Sequence, residues 1–424
     1  MIRDVLAVPV RTGFFTDDQA AILAGAEHDG LTYVGEPRTA GFRAIRQPGE
    51  AVSVLLVLDD GQVAHGDCAA VQYAGVGGRD PVLSATAAAA EIERTVAPLL
   101  RGRMLDGFRG VAEEVDSLLV DGRRLHASIR YGVTQALLDA VARMRGLTIA
   151  EVVRDEYDTG VDIAPVPLYA QSGDDRYGNV DKMILKGAAI LPHGLINNVQ
   201  TKLGEQGEVF ADYLAWVRDR TLGLREDADY APVLHFDVYG TIGEAFGRDH
   251  ARIADYLQEL ERRAAPFSLQ LEHVLDAGSK EGQLEAWPAL RAELRARGCG
   301  VRLVADEWCN TLEDIGDFVA AQAADVIQVK MPDLGGVNNT IEALLLLRRH
   351  GIGAYCGGSC NETDRSAQIS ANIAMACGAT QVLAKPGMGV DEGMMIVGNE
   401  MARVAALVGA RGRNPELSSA TGLL

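Results

Sequence analysis

Four ionisable side chains lie where short apolar runs of this sequence stop. Asp237 ends VLHFD, Glu272 ends FSLQLE, Asp306 follows VRLVA and Lys330 ends DVIQVK. Three carboxylates that converge on one point suit a hard divalent cation such as Mg²⁺, which keeps its other positions for water and substrate. A lysine facing the same point is placed to take a proton from a molecule that the cation holds. The four residues therefore indicate metal-assisted proton abstraction.

The same acids have a simpler explanation, because an acid directly after a strand often caps the following helix. Three such acids in successive units, each at the end of an apolar run, favour a shared site over three separate caps. Gln328 lies two residues before Lys330 and shares its face of the strand. A polar pair that faces a barrel interior needs partners, because unpaired burial is costly. The pattern therefore favours a site.

Strand-like runs alternate with helices over residues 161–411. The eight runs are PVPLYAQ, GLINNV, VLHFDV, SLQLEH, RLVADE, VIQVK, IGAYCGG and QVLAKPG. Eight strands in such alternation predict an α/β fold, a closed (β/α)₈ TIM-type barrel, with catalytic residues at the carboxyl ends of the strands. A polar tail over residues 412–424 is expected to lie outside the chemistry.

Residues 1–160 have a different pattern. Apolar runs flank Asp59-Asp60-Gly61, which is a strong hairpin signal, and helical patterns cover residues 84–101 and 125–144. Strands followed by helices without alternation predict an N-terminal α+β domain. Its glycine-rich loop at 68–80 is either an exposed turn or a loop that reaches across the active site of the barrel.

Composition restricts the class of protein. The net charge is −19 and the pI is about 4.9, which argue against nucleic acid or an anionic membrane as a partner. No signal peptide or membrane-spanning run is expected from the sequence. The six cysteines are scattered, without the paired spacing of a zinc site or the density of a secreted scaffold. We therefore expect a cytoplasmic location.

Further polar residues lie near strand ends. Gln171 closes the first run, His193 precedes the second, and Ser359 and Cys360 follow the seventh. Glutamine, serine and the backbone amides of a glycine turn are donors suited to a substrate carboxylate. A lone histidine is more often structural than catalytic, so both a structural and a catalytic role stay open for His193. Cys360 has no histidine at an informative spacing, which favours a binding role over a nucleophile.

The reaction that suits this set is proton abstraction beside a carboxylate. Removing that proton creates a doubly charged enediolate, and a metal on the carboxylate stabilises the charge where it develops. A lysine acts as a base only when it is neutral, and burial and nearby Mg²⁺ both lower its pKa. A Schiff-base aldolase, with Lys330 as nucleophile, and a barrel that binds a metabolite without catalysis are alternatives.

The acids, Lys330 and several longer stretches together resemble the methylaspartate ammonia-lyase family of the enolase superfamily. The stretches are GDCAAVQY, QSGDDRY, HFDVYGTIG, VADEWCNT, PDLGGVNN, AYCGG and AKPGMGVDEGMMIV. The resemblance covers about residues 4–411. It implies a capping domain over the barrel and reversible loss of ammonia from L-threo-3-methylaspartate to give mesaconate. A racemase or epimerase of the same superfamily stays an alternative.

The resemblance also implies roles. Metal ligands fall on Asp237, Glu272 and Asp306, the (S)-specific base on Lys330, and a histidine on the opposite face of the substrate on His193. Substrate-binding positions fall on Gln171, Gln328, Ser359, Cys360 and Gln72. The expected cofactors are Mg²⁺ and an activating K⁺, and the expected assembly is a homodimer.

Two positions depart from the family pattern. His273 and Val274 follow Glu272 where Gly-Pro is expected, and Ser359 stands where threonine is usual. The serine keeps the hydroxyl. A histidine beside a metal ligand is expected to alter the hydrogen bonds around that ligand.

Overall fold

The computed structural model describes residues 1–413. The strands of its N-terminal part are β1 (Ile2–Asp17), β2 (His28–Asp29), β3 (Thr32–Tyr33), β4 (Arg46–Leu58), β5 (Val63–Cys68), β6 (Leu119–Val120) and β7 (Arg123–Arg124). β1, β4 and β5 form an antiparallel sheet, while β2–β3 and β6–β7 are two-stranded ribbons. β4 and β5 form the hairpin predicted around Asp59-Asp60-Gly61.

Six helices accompany this sheet. They are α1 (Gln19–Leu23), α2 (Ala85–Glu91), α3 (Ala97–Leu100), α4 (Arg109–Asp116), α5 (Ala127–Arg145) and α6 (Ile149–Tyr157). A π-helical turn, Ile92–Val96, joins α2 to α3 within the predicted 84–101 helix. α5 ends at Gly146, whose φ of 61° is the left-handed conformation that glycine adopts without strain.

Helix α5 packs directly on strand β5. A Cβ on Gly66 would lie 2.4 Å from the Gly132 carbonyl oxygen, and a Cβ on Gly132 would lie 2.3 Å from the Cys68 nitrogen. Two glycines therefore let the helix and strand backbones touch. This contact fixes the N-terminal sheet against the long buried helix.

Eight parallel strands form the barrel. They are β8 (Leu168–Tyr169), β9 (Ile190–His193), β10 (Val233–Asp237), β11 (Leu269–Glu272), β12 (Arg302–Ala305), β13 (Val326–Lys330), β14 (Gly353–Gly357) and β15 (Gln381–Leu383). Each strand pairs with its neighbours in the chain, and β8 pairs with β15 to close the ring. The predicted (β/α)₈ fold is therefore confirmed.

Helices surround the barrel. They are α7 (Gly178–Leu185), α8 (Glu208–Leu224), α9 (Thr241–Ala245), α10 (His250–Ala264), α11 (Lys280–Ala296), α12 (Leu312–Ala320), α13 (Met331–Leu334), α14 (Val337–Arg349), α15 (Asp364–Cys377) and α16 (Val390–Arg413), with a π-helical turn at Val199–Leu203. The predicted tail begins inside α16, and its residues 414–424 lie outside the described residues. Within residues 1–413, no helix combines the length and apolar character needed to cross a membrane.

The second barrel strand lies earlier than predicted. The strand is Ile190–His193, and the GLINNV run that follows it is not a strand. His193, Gly194 and Leu195 have φ values of 71°, 76° and 50°, so the chain turns away from the sheet there. Pro192 made the true strand hard to recognise, because proline is rare inside sheets. The correction makes His193 the last residue of its strand.

Candidate active site

A cavity of about 480 Å³ opens at the carboxyl ends of the barrel strands. All ten residues singled out in the sequence line it: Gln72, Gln171, His193, Asp237, Glu272, Asp306, Gln328, Lys330, Ser359 and Cys360. The barrel supplies nine of them and the N-terminal part supplies Gln72. The structure thus brings the whole predicted set to one place.

Three consecutive strands supply the three carboxylates. Asp237 ends β10, Glu272 ends β11, and Asp306 directly follows β12. Asp237 and Glu272 are register partners, so their side chains emerge side by side. One carboxylate oxygen from each acid lies within 4.8 Å of the others, and all three acids are buried. This is a group of hard oxygen donors close enough for one cation.

The electrostatics of the three acids fit a cation. Burial raises the pKa of Glu272 well above its ordinary value, and the charges of Asp237 and Asp306 raise it further. Burial raises the pKa of Asp306 to about 6, although the Lys330 ammonium opposes the shift. Buried carboxylates that repel one another are stabilised by a positive charge among them. The donor set therefore fits Mg²⁺ in chemistry and in spacing.

Lys330 lies beside the carboxylate group. Its Nζ is 2.5 Å from Asp306 Oδ1 and 3.6 Å from Glu307 Oε1. Burial lowers the pKa of Lys330, but the Asp306 and Glu307 carboxylates outweigh burial and raise it above its usual value. The expected lowering of the Lys330 pKa is therefore not found in the presence of these carboxylates without a cation. A divalent cation held by Asp237, Glu272 and Asp306 would add positive charge beside Lys330 and oppose this rise in its pKa.

Gln328 lies next to the same carboxylate. In the amide orientation that satisfies both its oxygen and its nitrogen, the nitrogen donates to Asp306 at 2.5 and 3.3 Å. Gln328 is 4% exposed, so it points into the barrel as its period-two relation to Lys330 predicts. The pair that the sequence analysis placed on one face is therefore on the cavity face.

His193 lies on the other side of the acid group. Its Nε2 is 3.4 Å from Asp237 Oδ2, and its buried Nδ1 has no hydrogen-bond partner within residues 1–413. The ring is tilted against Tyr169 at 6.3 Å and meets Tyr239 edge-on at 6.1 Å. His193 therefore lines the cavity beside Asp237.

The N-terminal part contributes a polar cluster, Asp17, Arg46 and Gln72, to the wall of the cavity. Gln72 Nε2 donates to Asp17 Oδ2 at 2.7 Å, and Gln72 Oε1 accepts from the Cys360 thiol at 3.3 Å. Arg46 pairs with the same aspartate at 2.7 Å. Burial raises the pKa of the Cys360 thiol, so it stays a neutral donor. This favours a binding role for Cys360 over a nucleophilic one.

The glycine-rich loop at 68–80 reaches the barrel, as one of the two sequence interpretations predicted. Arg79 is almost buried and bonds Asp333 at 2.9 Å and Glu307 at 3.2 Å. Asn310 Nδ2 donates to the Gly77 carbonyl at 2.9 Å. The loop therefore extends from the N-terminal sheet to Glu307, the carboxylate that lies 3.6 Å from Lys330.

Glu362 supports the turn that carries Ser359 and Cys360. It pairs with Lys385 at 2.5 Å, and both side chains are fully buried. Tyr131 of α5 donates to Glu362 Oε1 at 2.8 Å, and the Ser359 N–H donates to Oε2, the oxygen that pairs with Lys385, at 3.2 Å. One carboxylate thus joins the last strand, the turn and the N-terminal helix.

The chain matches known proteins along nearly its whole length. A family model described as "Methylaspartate ammonia-lyase N-terminus" matches residues 1–158, and one described as "Methylaspartate ammonia-lyase C-terminus" matches residues 160–410. The methylaspartate ammonia-lyase of Clostridium tetanomorphum is 59% identical over 97% of this chain and 99% of its own. This chain belongs to the methylaspartate ammonia-lyase family.

Solved structures of the family agree with this fold. A magnesium complex of β-methylaspartase from C. tetanomorphum superimposes with a TM-score of 0.94 at 59% identity, covering 97% of this chain and 99% of that chain. A Citrobacter amalonaticus methylaspartate ammonia-lyase containing (2S,3S)-3-methylaspartic acid gives a TM-score of 0.94 at 49% identity, covering 96% and 99%. A muconate lactonizing enzyme from Pseudomonas putida, at 16% identity and a TM-score of 0.56, shares the fold alone.

Sequence reasoning missed residues that surround the three carboxylates. His235 Nε2 lies 2.9 Å from Glu272 Oε2, and Gln381 Nε2 lies 3.1 Å from His235 Nδ1. His235 could have been predicted to lie near the acids, because it is two residues before Asp237 and alternate residues of a strand share a face. Glu307 and Arg79 were also missed. Arg79 lies in a loop whose reach the sequence does not determine.

Within residues 1–413, His273 makes no hydrogen bond to Asp237, Glu272 or Asp306. His273 has a φ of 53°, a left-handed conformation that glycine adopts more easily. Its Nδ1 is buried without a hydrogen-bond partner within residues 1–413. The hydrogen bond to Glu272 comes from His235 instead. An effect of His273 on the hydrogen bonds around Glu272 stays a prediction.

Proposed function

We propose that this protein is a carbon–nitrogen lyase that eliminates ammonia reversibly from L-threo-3-methylaspartate and gives mesaconate. One observation carries the proposal: three carboxylates on consecutive strands, Lys330 and His193 line one cavity. Membership of the methylaspartate ammonia-lyase family supports the choice of substrate and reaction.

Asp237, Glu272 and Asp306 would hold Mg²⁺. Their oxygens lie within 4.8 Å of one another, and burial raises the pKa values of Glu272 and Asp306, as expected for acids that share a cation. When bound, the ion would stabilise the negative charge that develops on the substrate carboxylate during proton loss. The Mg-complex of the C. tetanomorphum relative supports magnesium as the metal.

Lys330 is the proposed base. In its neutral form, Nζ takes the C3 proton of the substrate. The C3–H electrons move onto the adjacent C4 carboxylate, which becomes an enediolate. They then form the C2=C3 double bond as the C2–N bond breaks, and ammonia leaves with the C–N electron pair. The ammonium of Lys330 then pairs with Asp306, which lies 2.5 Å from Nζ.

His193 and the polar residues of the cavity are proposed to hold the substrate. Gln171 and His193 would bind the C4 carboxylate, and the unpartnered Nδ1 of His193 supports this role. The other end of the substrate would contact Gln328, Gln72, Ser359 and Cys360. The link between the Cys360 thiol and Gln72 Oε1 at 3.3 Å makes these two residues neighbours at that end.

Further proposals concern the domains, the activating ion, the assembly and the location. Residues 1–160 act as a capping domain, residues 161–411 as the catalytic barrel, and the tail takes no part in chemistry. K⁺ activates the enzyme, and the working form is a homodimer. A cytoplasmic location agrees with six unpaired cysteines, which suit a reducing compartment. Sedimentation equilibrium of the full chain tests the dimer.

Product analysis tests the proposed reaction. The protein is incubated with L-threo-3-methylaspartate, Mg²⁺ and K⁺ in deuterated water, and proton NMR follows the products. Mesaconate and ammonia in equal amounts are expected. Exchange of a substrate proton for deuterium without ammonia release would support the racemase or epimerase alternative. Trapping of substrate on Lys330 by borohydride would support the aldolase alternative.

A further inference from the structure

A chain of hydrogen bonds inside the barrel ends on Glu272. Gln381 Nε2 lies 3.1 Å from His235 Nδ1, and His235 Nε2 lies 2.9 Å from Glu272 Oε2. His235 is fully buried, and Gln381 and Glu272 are 1% and 2% exposed. Strands β15, β10 and β11 each supply one member of the chain. At this depth, each polar atom depends on its protein partner for a hydrogen bond.

The ring of His235 is held in one plane by its neighbours. Tyr169 stacks on it with ring centroids 4.3 Å apart and an interplanar angle of 7°. Tyr355 meets it edge-on at 5.8 Å. Both tyrosine side chains are fully buried. Close packing on the face and the edge fixes the orientation of the imidazole, so only the position of its proton remains to be set.

Gln381 determines which ring nitrogen of His235 carries the proton. Its amide nitrogen, which only donates, faces His235 Nδ1, so Nδ1 must accept. A neutral imidazole that accepts at Nδ1 carries its proton on Nε2. The Nε2–H then points at Glu272 Oε2, which accepts the bond.

We propose that Gln381 is a positioning residue for the metal centre. It selects the Nε2–H tautomer of His235, and His235 thereby holds the Glu272 carboxylate in the orientation that binds Mg²⁺. The inference rests on the proposed use of Glu272 as a metal ligand. Partners of this kind fix ligand orientation in metal sites and raise affinity.

The tautomer can be measured without substrate or metal. Protein labelled with ¹⁵N at histidine and freed of metal by EDTA is observed by NMR, in which protonated and unprotonated ring nitrogens differ widely in chemical shift. His235 is assigned by its loss from the His235→Gln spectrum. A protonated Nε2 and a bare Nδ1 are expected in the unsubstituted protein. The opposite tautomer would overturn the inference.

The effect on the metal is measured with Mg²⁺ alone by titration calorimetry. Gln381→Met keeps the length of the side chain and removes the donor, and we expect Mg²⁺ to bind about 10- to 100-fold more weakly. The control is Gln270→Met. Gln270 is another buried barrel glutamine, and its Oε1 has no hydrogen-bond partner within residues 1–413.

Gln270→Met is expected to bind Mg²⁺ as tightly as the unsubstituted protein does. Equal weakening in both variants would overturn the inference in favour of a packing effect, and so would unchanged affinity in Gln381→Met. If Gln381→Met does not fold, the tautomer of the unsubstituted protein still decides. Neither measurement uses the reaction, so a protein that forms no mesaconate would refute only the proposed function.

Discussion

His193 and Lys330 face each other across the mouth of the barrel. His193 ends β9 and Lys330 ends β13, which lie four strands apart in a closed ring of eight. The strands of Asp237, Glu272 and Asp306 lie between them on one side. A substrate bound at the three carboxylates would therefore have a lysine on one face and a histidine on the other.

Replacing the lysine tests one half of this arrangement. Lys330→Ala removes the proposed base for the (S) configuration at C3, so elimination from L-threo-3-methylaspartate is expected to fall by about 10²- to 10⁴-fold. Mesaconate formation and thermal unfolding are measured on the same preparation. An unchanged unfolding temperature with lost activity assigns the loss to chemistry. Full activity in this variant would refute the role of Lys330.

Replacing the histidine tests the other half. His193→Ala is expected to slow the reaction of the C3 (R) epimer more than that of the (S) substrate, because the histidine faces the side opposite Lys330. Initial rates for both epimers are compared in both variants, and Lys330→Ala should show the reverse preference. Equal loss on the two epimers in His193→Ala would indicate a general binding role.

Arg79 is expected to hold the 68–80 loop on the barrel. Arg79→Met leaves Asp333, which is 7% exposed, without its charge partner, and should destabilise the protein by about 3–5 kcal/mol. Arg109→Met is the control, because Arg109 also joins the N-terminal part to the barrel, through Glu342 at 2.6 Å, but is 56% exposed. Its cost should stay below about 1 kcal/mol.

The free energy of unfolding of both variants is obtained from urea denaturation. Equal destabilisation by the two substitutions would contradict the account, because burial is the property that separates the two ion pairs.

Glu362 is expected to set the turn of Ser359 and Cys360. Glu362→Gln keeps the shape but removes the charge that faces the fully buried Lys385. An unpaired buried ammonium should cost about 3–5 kcal/mol of stability. The displaced turn should raise KM for the substrate more than it lowers kcat. A variant with unchanged KM and lost kcat would place this residue in the chemistry instead.

The sequence was enough to predict the barrel and the residues that end its strands. Strand ends such as Asp237 and Lys330 are readable because apolar runs stop there and all carboxyl ends share one face. His235 was within reach of the same rule, since it shares a face with Asp237. Its partner Gln381 was not, because the contact crosses the barrel interior. The strand that begins at Ile190 was not predicted at its true position, because it contains Pro192.

The 68–80 loop shows a second limit of the sequence. Its glycines indicate a turn, but the contact of Arg79 with Glu307 depends on how the N-terminal part docks on the barrel. The pKa of Lys330 is a third case. Burial was foreseeable, yet the two carboxylates that outweigh it were evident only from the packed site.

The most direct test of the account is the metal dependence of elimination. Protein treated with EDTA is mixed with L-threo-3-methylaspartate, and mesaconate is followed by its ultraviolet absorbance before and after Mg²⁺ is added. Glu272→Gln, which lacks one of the three carboxylates, is run beside it. No product is expected before Mg²⁺ is added, full activity is expected after it, and the variant is expected to lose activity. Continued elimination in EDTA, or an unaffected variant, would contradict the three-carboxylate site.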